Sequence, residues 1–332
     1  MAVSRRAVNY AVALALLALA LLLGIAHGPT PIPLGTVVRR LLAPNRSIDS
    51  VIIWEIRFPM VAAAAVVGGG LAVAGAVMQA LLKNPLADPY IVGASAGAGL
   101  GATLAQDLVP ALNAMAPGAF VGALAAVCLS YLLSRGRGTV SMLTLILAGY
   151  AVGVILTAVT TFLMLFNQQD LSAIFAWELG GIDGATWSQV LVSAVLIAAG
   201  LAVVWPFAHD MNALLLGEEE AHHLGVNVQR VQFVLLFAAS LMTAAAVYLS
   251  GLVGFVGLVM PHIARRLNGP NHRHLLPLTF CLGAAFLTFA QIVAESVPVI
   301  GPIPVGLVTA CLGGPYFLSL LIRQSHRAGG WP

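Results

Sequence analysis

FPMVAAAAVVGGGLAVAGAVMQAL, Phe58 to Leu81, runs without a single charged residue. An apolar run of about 20 residues is long enough to cross a hydrocarbon core of about 30 Å. Comparable runs recur on both sides of it along the whole chain. In lipid the backbone has to satisfy its own hydrogen bonds, which leaves helices or a closed barrel. A barrel reads as short alternating segments, whereas these runs are continuous, so the fold class is all-α and polytopic.

Composition agrees. Of 332 residues, 60% are hydrophobic and 8% charged, against roughly 25% charged in an ordinary soluble domain. A soluble core of this size could not be coated by so few charges. The spacing predicts about ten transmembrane helices in one domain over 1–332, at approximately 7–26, 58–81, 90–109, 114–134, 140–166, 186–207, 229–250, 252–268, 275–296 and 303–322. The seventh and eighth are divided only at Ser250 and Gly251, and nine spans is the alternative. Ala7 to Ala26 is too long for a cleavable signal and lacks a small-residue cleavage site, so it is expected to remain. Gly93, Gly97 and Gly101, with Gly149 and Gly153, form small-residue stripes suited to close helix packing.

Lys and Arg set the expected orientation. With the N-terminus in the cytoplasm, only Arg39, Arg40, Arg46 and Arg57 fall outside, so both termini are expected inside. Trp54, Trp177 and Trp187 then lie at the outer boundary and Trp205 at the inner one. The segment at about 170–184, Asp170 to Gly184, is too short and acidic to span and reads as an external surface helix. The loop at about 209–229 is cytoplasmic.

Several chemistries are excluded. Cys128, Cys281 and Cys311 have no metal-ligand spacing, and the histidines sit at loops and span ends, so no cofactor is expected. Span interiors lack the ionisable groups that an ion-coupled carrier keeps at membrane depth. The basic residues are spread over membrane loops, which gives no nucleic-acid surface. A phosphate-binding loop needs a lysine before Ser or Thr, but Asn84 and Pro85 follow Lys83, the only lysine. The chain is therefore expected to be non-catalytic, with any ATP hydrolysis supplied by another subunit.

Three stretches carry the remaining signal: Arg57 to Asp88 ending in NPLADP, LGEEEAHHLGVNVQR (Leu216 to Arg230), and GLVGFVGLVMPHIARRL (Gly251 to Leu267) followed by IPVGLVTACLGGPYFLSLLIR (Ile303 to Arg323). In this order and spacing they resemble the FecCD family, the iron-siderophore, haem and vitamin B12 permeases of ABC importers. The resemblance runs from about Arg57 to Arg323. It implies a multi-pass protein of the bacterial cytoplasmic (inner) membrane that works as a homodimer. Two ABC ATPase subunits would lie below it and a periplasmic substrate-binding protein above, with a metal chelate as substrate. An iron chelate, siderophore or haem, is the leading cargo and vitamin B12 the alternative.

The residues can be read beside that resemblance. Gly217 can start a short helix whose first turn holds Glu218, Glu219 and Glu220, where the helix dipole favours acids. Gly225 can end it. The resemblance implies that Gly217, Glu218, Glu219, Glu220, Ala221, Leu224 and Gly225 contact the ATPase; a solvated loop is the bland alternative. Pro85 and Pro89 bracket a turn in which Asn84 and Asp88 can bond nearby backbone. His262, beside Pro261, reads as a structural histidine. Arg57 and Glu295 are the residues that the resemblance places at the binding-protein surface, although Met60 stands where a second arginine is common. The resemblance also implies a pathway lined by Met142, Leu143 and Tyr150, with Ser141 to Thr144 at its narrow end.

Overall fold

The computed structural model describes residues 2–28, 30, 32–109, 114–136, 139–166, 171–297 and 303–327. It is a helical bundle built around α4 (Phe58–Leu81), which continues directly from α3 (Ile48–Val51) through one π-helical turn, Ile52–Arg57. From Val67 to Val77 almost every α4 side chain is fully buried. Around it pack α9 (Trp187–Val204), α12 (Val228–Ser250), α13 (Val256–Asn268) and α14 (His272–Ser296). The apolar composition of α4 on every face is what a helix surrounded by others requires. Gly75 makes the tightest approach, facing the backbone of Gly257 on α13, where any Cβ would collide with a carbonyl.

A second layer consists of α5 (Ala94–Leu108), α6 (Met115–Ser134) and α7 (Met142–Phe166). Gly97 and Gly101 on α5 meet Gly122 and Gly118 on α6, backbone against backbone, as the small-residue stripe predicts. Gly93 is the exception, because it lies before α5 as its N-cap, with φ 88°. Arg135–Gly136 and Thr139–Val140 form a two-residue antiparallel ladder, β1 with β2, ahead of α7. On the far side α1 (Ala2–Ala26) packs on α14, and α15 (Val305–Arg327) on α13 and α14. The remaining elements are short: α2 (Leu34–Leu42), α8 (Leu171–Glu178), α10 (Ala208–Leu214) and α11 (Glu218–His223).

Among the described residues eight helices are long and apolar enough to cross a membrane. The other two expected spans, 90–109 and 252–268, are present as the shorter α5 and α13. At about 1.5 Å per residue, the 13 residues of α13 reach about 20 Å. The division at Ser250 and Gly251 is real: Gly251 has φ 63° and Phe255 φ 67°, so residues 251–255 leave the helical path. That excursion is pinned where Gly181 N–H donates to the Ser250 carbonyl at 2.9 Å. The expected surface helix at 170–184 is helical only over Leu171–Glu178, and Asp170 lies outside the described residues.

Candidate functional site

The loop between α9 and α12 folds as its composition predicts. Gly217 is the N-cap of α11, with φ 134°, and the three glutamates fill the first turn. At the other end Gly225, φ 85°, donates to the His222 carbonyl at 2.9 Å while Val226 N–H donates to the Ala221 carbonyl at 3.0 Å. This pair of bonds is a Schellman termination, which calls for a left-handed residue where Gly225 stands. Asn227 then caps α12 by accepting from Arg230 N–H at 3.1 Å. Helix α11 is thus closed on both sides by residues within ten positions of one another.

Ala221 is fully buried and seats the helix, whereas Leu216 and Leu224 are 67% and 65% exposed at its two ends. Glu218 accepts from Gln232 of α12 at 3.0 Å and lies 4.0 Å from Lys83. An exposed ion pair of this kind contributes about 1 kcal/mol at most, so it orients the helix more than it stabilises it. Beside α11 opens a groove of about 850 Å³ lined by Glu218, Glu219, Gly225, Asn227 and Met142. The structure thereby brings the start of α7 and the acidic helix onto one groove, a proximity that no local sequence feature announces. Leu143 and Tyr150 do not line that groove. They lie on the outer face of α7, 68% and 71% exposed, with Leu147 and Val154 in the same stripe.

The NPLADP turn is built from two side-chain caps. Asn84 accepts from Leu86 N–H and Asp88 from Tyr90 N–H, each at 2.9 Å. Burial of the Asp88 carboxyl pushes it up to about 6, only partly opposed by that bond. The His262 ring lies edge-on to Tyr316 with centroids 6.4 Å apart, and its buried Nε2 has no partner among the described residues.

Arg57 sits elsewhere than at a free surface. It is 3% exposed and donates to the carbonyls of Ile25 at 3.1 Å and Ala26 at 2.9 Å, and to that of Thr30. The Ile25 and Ala26 carbonyls end α1 and Thr30 follows it, so the guanidinium acts as the C-terminal cap of another helix. A docking role would require it to leave them. Glu295 is half-buried, and Gln291 donates both to it at 3.0 Å and to Asp183 at 3.1 Å. Met60 touches the same Gln291 at 3.6 Å.

Long apolar helices wrapped round one buried helix, with a short capped acidic helix at one end, define a multi-pass membrane protein. A model of the FecCD transport family matches residues 16–323. The chain is 42% identical over 279 residues to the cobalamin import system permease protein BtuC of Halobacterium salinarum, covering 84% of this chain and 75% of that protein. It is 41% identical over 287 residues to the hemin transport system permease protein HmuU of Yersinia pestis, covering 84% and 85%. Among solved structures it is similar to a metal-chelate type ABC transporter in an inward-facing conformation. There the TM-score is 0.85 at 28% identity, over 95% of this chain and 99% of that one. The chain belongs to the FecCD transport family. It is the permease subunit of an ABC importer, a multi-pass protein of the bacterial inner membrane. ATP hydrolysis in this family belongs to separate subunits, and the permease pairs with these and with a substrate-binding subunit.

Proposed function

We propose that this permease moves an iron chelate, siderophore or haem, from periplasm to cytoplasm, driven through α11 by two ATPase subunits. The observation that carries the coupling role is the doubly capped α11 with Leu216 and Leu224 exposed at its ends. A rigid acidic knob with apolar flanks is suited to seat in a groove on a partner, and a solvated loop has no need of either cap. Both termini and α11 lie on the cytoplasmic side, as the distribution of Lys and Arg favours.

The exposed stripe of Leu143, Leu147, Tyr150 and Val154 supports a homodimer, in which a second copy faces α7 and the pathway runs between the two. Met142 reaches the same inner end as α11 and so links pathway to coupling helix. A periplasmic binding protein docks at the opposite end, where Asp183 and Glu295 share Gln291. Arg57 contributes to that surface only if it releases α1.

Vitamin B12 is the second reading, favoured by the 42% identity to a cobalamin permease. Growth of a deletion strain on single ferric siderophores, on haemin, and on B12 separates the two. Loss of growth confined to B12 dependence would overturn the iron-chelate reading.

A further inference from the structure

At the same end of the bundle as α11, a cavity of about 160 Å³ opens between α4, α13 and the start of α14, lined by Gln79, Lys83, Pro85, Leu215, Arg265 and His272. It is separate from the groove beside α11, and Lys83 is the one lining residue it shares with the coupling argument. Its chemistry is unusual for a membrane bundle. Arg265 donates to Gln79 Oε1 and has no carboxylate partner among the described residues. Gln79 is held in that orientation because its amide nitrogen is spent on the carbonyls of Ala87, Gly257 and Leu258 at 3.2–3.3 Å. The remaining guanidinium donors have no protein acceptor among the described residues, and a partly buried cation without a counter-charge is costly.

Lys83 adds a second cation at the rim. It adopts φ 48°, a left-handed conformation that glycine or asparagine takes more cheaply, so its side chain is kept there at some backbone cost. His272 supplies the third group and is 1% exposed. Asn212 Oδ1 accepts from the His272 backbone N–H at 3.0 Å and lies 2.8 Å from Nδ1. Asn212 also donates its Nδ2 to Asn271 at 3.3 Å, which fixes the amide's orientation. Nδ1 is consequently the ring's donor, and the neutral imidazole offers Nε2 as an acceptor. That Nε2 is buried and has no partner among the described residues.

Two cations and one buried acceptor call for an anion that also carries a proton. We propose that this cavity binds a protonated phosphate-class oxyanion, whose oxygens accept from Arg265 and Lys83 and whose P–OH donates to His272 Nε2. Hydrogen phosphate and a lipid phosphomonoester headgroup share this chemistry; sulfate and phosphodiesters lack the proton. Bound anion would bridge the turn after α4 to α13 and α14. It would also compete with Glu218 for Lys83, which ties occupancy of the cavity to the seating of α11.

The test uses the full chain in a neutral maltoside micelle at constant pH and ionic strength, reading melting temperature against added anion. Transport is not involved, so the outcome is independent of the proposed function. Sodium phosphate should stabilise saturably, with sulfate about tenfold weaker, the cost of one unmade bond to a buried group. Arg265→Gln and Lys83→Asn should each weaken phosphate about tenfold, and Arg266→Gln, exposed on the same helix, should not. Lys83 is exposed and asparagine suits its backbone, so this variant reports even if Arg265→Gln fails to fold. Micelles doped with phosphatidic acid locate the source: greater stabilisation there than from free phosphate supports the site with a lipid headgroup as its ligand. Equal effects of phosphate, sulfate and chloride would overturn the proposal. So would stabilisation by phosphatidylglycerol alone, or equal losses from Arg266→Gln and Lys83→Asn.

Discussion

Replacing Gly225 tests the coupling helix with a graded series. Its φ of 85° lies in the left-handed region, and a Cβ built there meets nothing within 4 Å. Alanine therefore costs backbone strain alone, about 1–2 kcal/mol. Asparagine tolerates this conformation and should cost less. Proline cannot reach it, since its ring holds φ near −65°, and it also removes the N–H that bonds the His222 carbonyl. The strain falls on a helix of six residues, far below the roughly 12–15 at which an isolated helix becomes stable in water. Helix α11 therefore depends on its caps and on buried Ala221, and 1–2 kcal/mol shifts its local order about 5–30-fold.

The assay is ATP hydrolysis stimulated by the loaded binding protein, and uptake into proteoliposomes, with the melting temperature of the isolated permease as control. Activity should fall in the order glycine, asparagine, alanine, proline. The melting temperature should barely move, because only Ala221 of α11 is buried. Transport at the wild-type rate by the proline variant would refute the coupling role. Equal loss in all three variants would refute the cap argument, because it would mean that position rather than conformation matters.

Arg57→Ala should lower the melting temperature of the isolated chain, costing about 2–4 kcal/mol by leaving the α1 carbonyls without donors; an unchanged melting temperature with weaker binding-protein affinity at low salt would make Arg57 a docking residue after all. Asp88 makes the chain pH-sensitive: its folded carboxyl titrates at about 6 against an ordinary 3.8, so the folded state binds the proton more tightly. Stability should then fall as pH rises from about 4 to 6, by about 2 kcal/mol; Asp88→Asn, which keeps an acceptor for Tyr90 N–H, should remove that dependence in melting curves at pH 5 and 7. For orientation, after replacement of Cys128, Cys281 and Cys311, single cysteines at Asn84, Gly136 and Glu219 should react only from the cytoplasmic side and one at Asp183 only from outside; external labelling at Glu219 would invert the topology.

The parts of this molecule that could be read in advance are those whose partners lie close along the chain. Helices follow from the apolar runs because lipid leaves the backbone few alternatives, and α11 follows because Gly217, three glutamates and Gly225 sit within one short segment. The lengths of α5 and α13 did not follow. Residues 90–93 and 252–255 are largely apolar, and the Asp88 cap with left-handed Gly93, and the left-handed Gly251 and Phe255, keep them out of a helix. The burial of Arg57 was hidden for the same reason on a larger scale: its acceptors lie 27 to 32 positions away, at the end of α1 and just beyond it. Arg265 and Gln79 are 186 positions apart, so neither announces the other. One signal was available, an amide at Gln79 inside an otherwise apolar run. A polar group there has to find a partner or cost several kcal/mol, so its presence in the sequence demands a long-range contact without saying which. A charged or amide side chain at the edge of a membrane span is therefore better read first as satisfying a distant backbone, and assigned to a partner protein only when its own fold leaves it free.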